Sequence, residues 1–266
     1  MPAPKNTFKQ ALNDRRPQIG LWAALASAYT TEILGGSGFD WLLIDGEHAP
    51  NDLPLLSAQV QALAASPTHP VVRVPIGEAW MIKQVLDIGA QTILVPMVET
   101  AQHAAAMARA MRYPPQGMRG VGAALARASA FDRIPDYLAT ANDEICLLLQ
   151  VESRAGLEAI DAIAATEGVD GVFIGPSDLA ADMGHLGQPE APEVLKAIEH
   201  GIARILANGK AAGILTGNRT LAKQYRDMGC TFVAVGTDVG ILANASASLA
   251  AEFKDGTAAP SASSYG

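Results

Sequence analysis

A single-domain α/β chain closed into a (β/α)8 TIM barrel is the architecture this sequence predicts, and three observations predict it. Eight short apolar runs alternate with segments of helical period, and several of those runs stop on a charged residue. The length, 266 residues, is close to the roughly 250 that such a barrel typically needs. Near-continuous apolar runs suit parallel strands that are covered on both faces. A doubly wound open sheet with extra strands satisfies the same periodicity, so the pattern alone leaves that alternative standing.

The elements follow in order. Residues 18–22 form the first run, and 41–44 the second, which opens into Asp45-Gly46-Glu47-His48. Leu53, Leu56, Val60 and Leu63 then recur at spacings of three and four, the apolar stripe of a helix. The third run, 71–74, contains Arg73, and a helix carrying Asp87 leads to the fourth, 92–95. Residues 112–142 make a long connection with a Pro-Pro turn, Gly117, Gly120 and Gly122. A segment of that length after a barrel strand is expected to cover or shape the mouth. The fifth run, 145–151, stops on Glu152, and the sixth, 171–174, opens into Gly175-Pro176-Ser177-Asp178. Val194, Ile198, Ile202 and Ile205 mark another amphipathic helix before the last two runs, 212–215 and 232–235. The final helix, 239–253, is apolar along much of its length and is expected to pack on a neighbouring subunit. One domain over 1–254 is expected, with a disordered tail over 255–266, rich in Ala, Ser, Pro and Gly.

Composition narrows the partners. Hydrophobic residues make up 49% of the chain and the mean hydropathy is +0.17, ample for a core and suggestive of buried subunit contacts. A formal charge of −8 argues against nucleic acid or an anionic membrane as partner, since either needs a basic face. A local arginine or a metal still allows an anionic substrate. Cys146 and Cys230 make no disulfide framework, and Cys146, inside an apolar run, is expected to be reduced and buried. Residues 1–18 lack an apolar signal core, and no stretch approaches the roughly 20 apolar residues that cross a bilayer. A cytoplasmic enzyme-sized globule is therefore expected.

In a parallel barrel all the carboxyl ends of the strands face one mouth, so residues distant in sequence converge there. Glu152 and Asp178 end consecutive strands, and two carboxylates with waters and substrate oxygens make an octahedral site for Mg²⁺ or Mn²⁺. Taken singly, each reads equally as a helix N-terminal charge or cap. His48 stands in a polar strand-end cluster and suits proton transfer, while a loop histidine bonded to backbone is the alternative. His69, His103, His185 and His200 read as surface or loop residues. Arg73 at a strand end needs an anion. Stabilisation of an enolate oxygen is preferred over an ion pair with Asp45 or Glu47. Asp87 reads as a solvated helix charge. Gly236-Thr237-Asp238 with Gly213 and Gly217 makes a weak phosphate-cradle signal, and plain strand-to-helix turns fit better. Trp22, Val121 and Leu215 are apolar candidates for a substrate pocket, Trp22 reading equally as a core or rim aromatic. Lys83 and Lys210 lie off the expected mouth, which disfavours Schiff-base chemistry.

Several stretches together resemble the HpcH/HpaI aldolase family. They are Gln18-Ile19-Gly20-Leu21-Trp22, the run from Phe39 to Pro50, Leu94-Val95-Pro96-Met97-Val98, the run from Arg112 to Gly120, and the run from Gly168 to Leu179. The likeness extends in the same order over about residues 8–253. It implies a divalent-metal aldolase (Mg²⁺ or Mn²⁺, with Co²⁺ also admissible) that cleaves 4-hydroxy-2-oxo acids such as 4-hydroxy-2-oxoheptanedioate. The products would be an aldehyde and pyruvate or a related 2-oxo acid such as hydroxypyruvate, a reaction of aromatic catabolism. It also implies a homo-hexamer with the final helix exchanged between neighbours. Residue by residue, it gives Glu152 and Asp178 as metal ligands and Arg73 as the group on the enolate oxygen. His48 with Asp87 becomes a base dyad, with Asp45 in the same hydrogen-bonded group. Gly175 and the amides of Ser177 and Asp178 become a carboxylate-binding turn. Many relatives have Ala where this chain has Ser177. The rival readings are a 2-keto-3-deoxy sugar acid aldolase of the same family, a more distant lyase acting on CoA esters, and a non-catalytic metabolite-binding barrel.

Overall fold

The computed structural model describes residues 1–254, so the tail expected to be disordered, 255–266, lies outside the described residues. Among these, eight parallel strands close into a barrel in sequence order. They are β1 (Gln18–Ala23), β2 (Trp41–Asp45), β3 (His69–Arg73), β4 (Thr92–Val95), β5 (Cys146–Val151), β6 (Gly171–Ile174), β7 (Ala211–Leu215) and β8 (Phe232–Thr237). Closure between β1 and β8 excludes the open-sheet alternative. The helices are α1 (Thr7–Asn13), α2 (Ala28–Gly35), α3 (Leu53–Ala62), α4 (Ala79–Asp87), α5 (Ala101–Met111) and α6 (Tyr137–Glu144). After β5 come α7 (Arg154–Glu158) and α8 (Ile160–Ala165), then α9 (Pro176–Asp182), α10 (Pro192–Ala207), α11 (Arg219–Asp227) and α12 (Asp238–Glu252). No helix among the described residues is long and apolar enough to cross a membrane.

The return from strand to helix is fixed locally by side-chain caps. Ser27, Asp52, Thr100, Ser153, Asn218 and Thr237 each accept from an amide in the first turn of the helix that follows, satisfying donors that the helix itself cannot.

Alternation sorts each strand into two faces. The outward set, among them Leu42, Ile44, Val72, Ile93, Leu147, Leu149, Val172 and Ile214, joins the helices in one large core. The inward set, with Trp41, Leu43, Val71, Leu94, Leu148, Phe173 and Phe232, fills the barrel itself. Two glycines make room there. A Cβ on Gly20 would meet the Trp41 ring at 2.2 Å, and one on Gly213 would meet the Phe232 ring at 2.1 Å. From below, α1 drives Phe8 into the same cluster, 5.8 Å from Trp41 and 6.1 Å from Phe232. The amino end of the barrel is thus plugged by hydrocarbon, and polar inward positions occur above it.

Two expectations are corrected. His69 belongs to neither surface nor loop: it opens β3, stacks on Phe8 at 5.4 Å and bonds Thr92 at 2.8 Å. Burial pushes its pKa down to about 4. The connection 112–142 does not cover the mouth of its own chain. Because α5 has already returned the chain to the amino end, Arg119, Arg127 and Ile134 line a cavity of about 560 Å³ there with Lys5 and His69. The last helix leaves Ile241, Leu242, Leu249 and Phe253 exposed on the single chain.

If the inward glycines are packing devices, Gly213→Ala will lower stability by about 1–3 kcal/mol through overpacking against Phe232. Denaturant unfolding will read this as an earlier midpoint with an unchanged slope, and an unshifted midpoint would refute the packing account.

Candidate active site

The site is the top inward layer of the barrel. On β2 the inward residues are Trp41, Leu43 and Asp45, and on β3 His69, Val71 and Arg73. Asp45 and Arg73 are register partners, and both are buried. The Arg73 guanidinium forks onto the Asp45 carboxylate, Nε to Oδ1 at 2.8 Å and Nη2 to Oδ2 at 2.6 Å. The Trp22 indole donates to Asp45 Oδ2 at 3.2 Å, and the guanidinium lies 5.0 Å over its ring. Burial alone would raise the Asp45 pKa, but the hydrogen bonds and charge of Arg73 reverse this and hold the carboxyl below its ordinary range.

The alternative reading of Arg73, an ion pair with Asp45, is therefore present. It also extends to Glu47, whose Oε2 lies 2.7 Å from Arg73 Nη1. That contact is charge against charge without hydrogen-bond geometry, since Glu47 Oε2 is left without a hydrogen-bond partner. Trp22 is buried and braces Asp45 and Arg73 from below, resting on Phe173 at 5.5 Å.

Glu152 follows β5 by one residue and is 4% exposed. Its Oε1 accepts from the Met97 amide at 2.8 Å and its Oε2 from the Gln150 side chain. Met97 adopts φ +55, a left-handed conformation for a non-glycine residue, which costs on the order of 1–3 kcal/mol and aims the amide at the carboxylate. A Cβ on Gly175 would sit 2.6 Å from Glu152 Oε2, so glycine makes space for that oxygen. Burial pushes the Glu152 pKa up to about 7 despite the two donors, with Asp178 and Glu47 adding repulsion. Glu47 is raised in the same way, by burial first, against the pull of Arg73 and His48, with Asp45 and Asp178 adding to it. Asp178 stands in the first turn of α9 beside Ser177, both exposed toward solvent.

Glu47, Glu152 and Asp178 thus repel one another at one mouth, and the Arg73 guanidinium beside them is already engaged by Asp45. Hard oxygen donors carrying uncompensated charge fit a small divalent cation such as Mg²⁺ or Mn²⁺. Gln150 Oε1, buried without a partner beside Glu152, is a further polar atom awaiting one. No group of three or more His, Cys, Asp or Glu side chains is arranged to hold a metal among the described residues. The remaining ligands would come from water and substrate.

The other expected residues divide. Leu215 ends β7, partly buried and packed against the inward cluster. His48 is two-thirds exposed at the mouth, with Nε2 3.9 Å from Glu47 Oε2, and its amide lies 3.4 Å from Asp45 Oδ1. Asp87 is not beside it. It ends α4, a helix that descends from the mouth toward the start of β4, and it pairs with Arg119 at 2.6 Å. Val121 is likewise away from the mouth and exposed. Its neighbour Gly122 lies against Asp87. Within one chain the expected dyad is not formed. The phosphate-cradle alternative also fails. Asp238 turns its carboxylate onto the amides of Ala24 and Leu25, tying the end of β1 to α12, and Gly213 packs on Phe232.

Sequence reasoning missed three residues. Gln150 shares the inward face with Glu152 two positions later, so strand parity could have found it. Glu47 was considered only as a partner for Arg73. Arg119 carried no signal within a Gly- and Pro-rich connection.

The sequence profile for "HpcH/HpaI aldolase/citrate lyase" matches residues 18–245. The chain is 61% identical to a hydroxypyruvate/pyruvate aldolase of Deinococcus radiodurans over 94% of its own length and 90% of the relative's. It is 56% identical to a 4-hydroxy-2-oxo-heptane-1,7-dioate aldolase of Escherichia coli, over 94% and 95%. An HpcH/HpaI aldolase/citrate lyase family protein of Burkholderia cenocepacia superposes with a TM-score of 0.90 at 43% identity, covering 94% of this chain and 99% of that one.

Glu152 gives a stability test in metal-free protein. Its folded pKa near 7 exceeds the ordinary 4.5, so the native state binds the extra proton and is destabilised as pH rises from 4.5 to 7. Glu152→Gln should therefore be more stable than the parent at pH 8 by about 1–3 kcal/mol, read as a higher melting temperature, with the gap nearly closed at pH 5. Equal melting temperatures at pH 8 would contradict the crowding of charge.

Proposed function

The chain belongs to the HpcH/HpaI aldolase/citrate lyase family and is an aldolase, and we propose from that premise that it cleaves and forms 4-hydroxy-2-oxo acids with a divalent cation. The 2-oxo product is pyruvate or hydroxypyruvate and the other product an aldehyde, in keeping with the two activities named for its relatives. The observation that carries this reading is the crowding of Glu152, Asp178 and Glu47 beside the Arg73–Asp45 fork at one mouth.

Glu152 and Asp178 would hold the cation, which when bound supplies Lewis-acid stabilisation of negative charge on the 2-oxo oxygen. The chain's own residues do the rest. Asp45 holds Nε and Nη2 of Arg73, leaving Nη1, in non-hydrogen-bonded contact with Glu47, to donate to the oxygen that becomes an enolate. Gln150 and the Met97 amide keep Glu152 oriented. The first turn of α9, at Ser177 and Asp178, receives the substrate carboxylate at the positive end of the helix. Trp22 and Leu215 border the space left for the aldehyde. In cleavage His48 takes the 4-hydroxyl proton, the C3–C4 bond breaks, its electron pair passes into the enolate, and the aldehyde departs. Protonation at C3 then gives the 2-oxo acid, and synthesis is the reverse.

Among the described residues His48 meets the Glu47 carboxylate only at 3.9 Å, and that carboxylate is drawn to Arg73, while Asp87 stands at the other end of the barrel. The reading therefore requires a homo-oligomer in which Asp87 and Val121 of one copy reach the mouth of the next. Exposed apolar side chains at both places support such a contact, Ile76, Trp80 and Met97 near the mouth and Met118, Val121 and Leu125 on the connection. Mouth against far end is a heterologous contact, which forms a ring when its rotation closes. A hexamer built from such rings, with the apolar α12 covered by a neighbour, agrees with the family likeness.

Two experiments follow. Arg73→Ala should lower kcat about 10²–10³-fold, as loss of a charge-stabilising donor does, and chelator-stripped protein should be inactive until Mg²⁺ or Mn²⁺ is restored. A loss of less than a few-fold, or full activity without metal, would defeat the mechanism. Co-expressed Arg73→Ala and Asp87→Asn chains, each inactive alone, should regain activity, because about a quarter of sites combine an intact mouth with an intact far end. No regain would show that Asp87 serves its own chain or none.

A further inference from the structure

Arg119 has a side chain only 1% exposed, and its Nε has no hydrogen-bond partner. A buried guanidinium with an unpaired N–H lowers stability unless something else requires it. Its placement is nonetheless tightly specified. The Met118 amide donates to Arg109 O and the Arg119 amide to Arg112 O, both at 2.8 Å. A Cβ on Gly117 would lie 2.2 Å from Arg112 O, so the segment can seat on the end of α5 only with glycine there. The guanidinium stacks 4.4 Å over the Tyr113 ring and directs Nη2 at Asp87 Oδ1, 2.6 Å away. Asp87 is 26% exposed, so the arginine sits behind the carboxylate and not in front of it. Asp87 Oδ2 accepts no hydrogen bond from the described residues.

We propose that Arg119 is a positioning residue for the aldol reaction. It occupies Oδ1 from the buried side and turns Oδ2 outward, where it receives the imidazole N–H of His48 from another copy and fixes which ring nitrogen takes the substrate proton. This rests on the reading in which Asp87 completes a neighbouring mouth. It explains why a connection with no residue at its own mouth contains a buried charge. Lysine cannot reproduce the arrangement, because a flexible ammonium lacks the planar fork that is clamped against Tyr113.

The test compares Arg119→Met, Arg119→Lys, Asp87→Asn and the double variant Asp87→Asn/Arg119→Met in steady-state kinetics with metal present. Arg119→Met should lower kcat about 10–100-fold, the scale of a misplaced catalytic group, with the KM for the 2-oxo acid within about threefold of the parent. Arg119→Lys should fall between them. The double variant should be no more than about twofold slower than Asp87→Asn alone, since two residues acting through one step are not additive. Arg119→Met chains co-expressed with Arg73→Ala should regain activity, and with Asp87→Asn should not. A kcat within about threefold of the parent in Arg119→Met, or losses that multiply in the double variant, would overturn the proposal while Asp87 keeps its role. If Arg119→Met does not fold, Arg119→Lys and its double variant with Asp87→Asn carry the same comparison. An active Asp87→Asn chain would instead bring down the underlying reading.

Discussion

An excess of carboxylate over guanidinium at one mouth, with Asp45 and Glu152 buried, is the constraint on which this molecule turns. Asp45 is compensated by Arg73 and Glu47 is partly compensated by it, while Glu152 is repelled by Asp178 and neither of those two pairs with a Lys or Arg among the described residues. Much of the upper barrel serves to hold that arrangement. Met97 adopts a left-handed backbone to place its amide on Glu152, Gln150 secures the second oxygen, and Gly175 clears the space. Below it, Phe8, Trp41 and Phe232 fill the barrel with hydrocarbon, so ligands and water reach the charges from one side. In the proposed function the complement to that repulsion is a bound divalent cation.

The two ends of the barrel have different tasks. The carboxyl end gathers charge from β2, β3, β5 and α9. The amino end, reached by α4 and again by α5, displays Asp87 and the long connection. In the proposed assembly a head-to-tail contact would join these tasks between copies and make assembly part of catalysis. The exposed apolar residues of α12 fit that picture, since they are left uncovered by their own chain.

The sequence made the fold legible because continuous apolar runs and polar stops survive every change of detail. Observed strands begin and end within two residues of the expected ones, as at β3, which starts at His69 because it pairs there with Trp41. The mouth was legible for the same reason: Glu152, Asp178, Arg73 and His48 follow or end apolar runs. What escaped was anything set by direction or parity. Asp87 reads as a harmless helix charge, and family likeness attaches it to His48, yet a helix descending from β3 must deliver its last turn to the opposite end. The connection after α5 obeys the same geometry and lies at that end too. Gln150 was hidden inside an apolar run although it shares a face with Glu152, and His69 was taken for a surface residue because Pro70 beside it disguises the strand.

Whether the crowded carboxylates exist to gather a cation over a 2-oxo acid is tested most directly at the methyl group of pyruvate. Proton NMR in D₂O would follow loss of the C3 methyl signal with the parent, with Glu152→Gln and with Asp178→Asn, each with and without Mg²⁺. The account predicts exchange with the parent and metal together, and none above background in either variant or after chelation. Exchange at the parent's rate in Glu152→Gln, or in stripped parent protein, would contradict it.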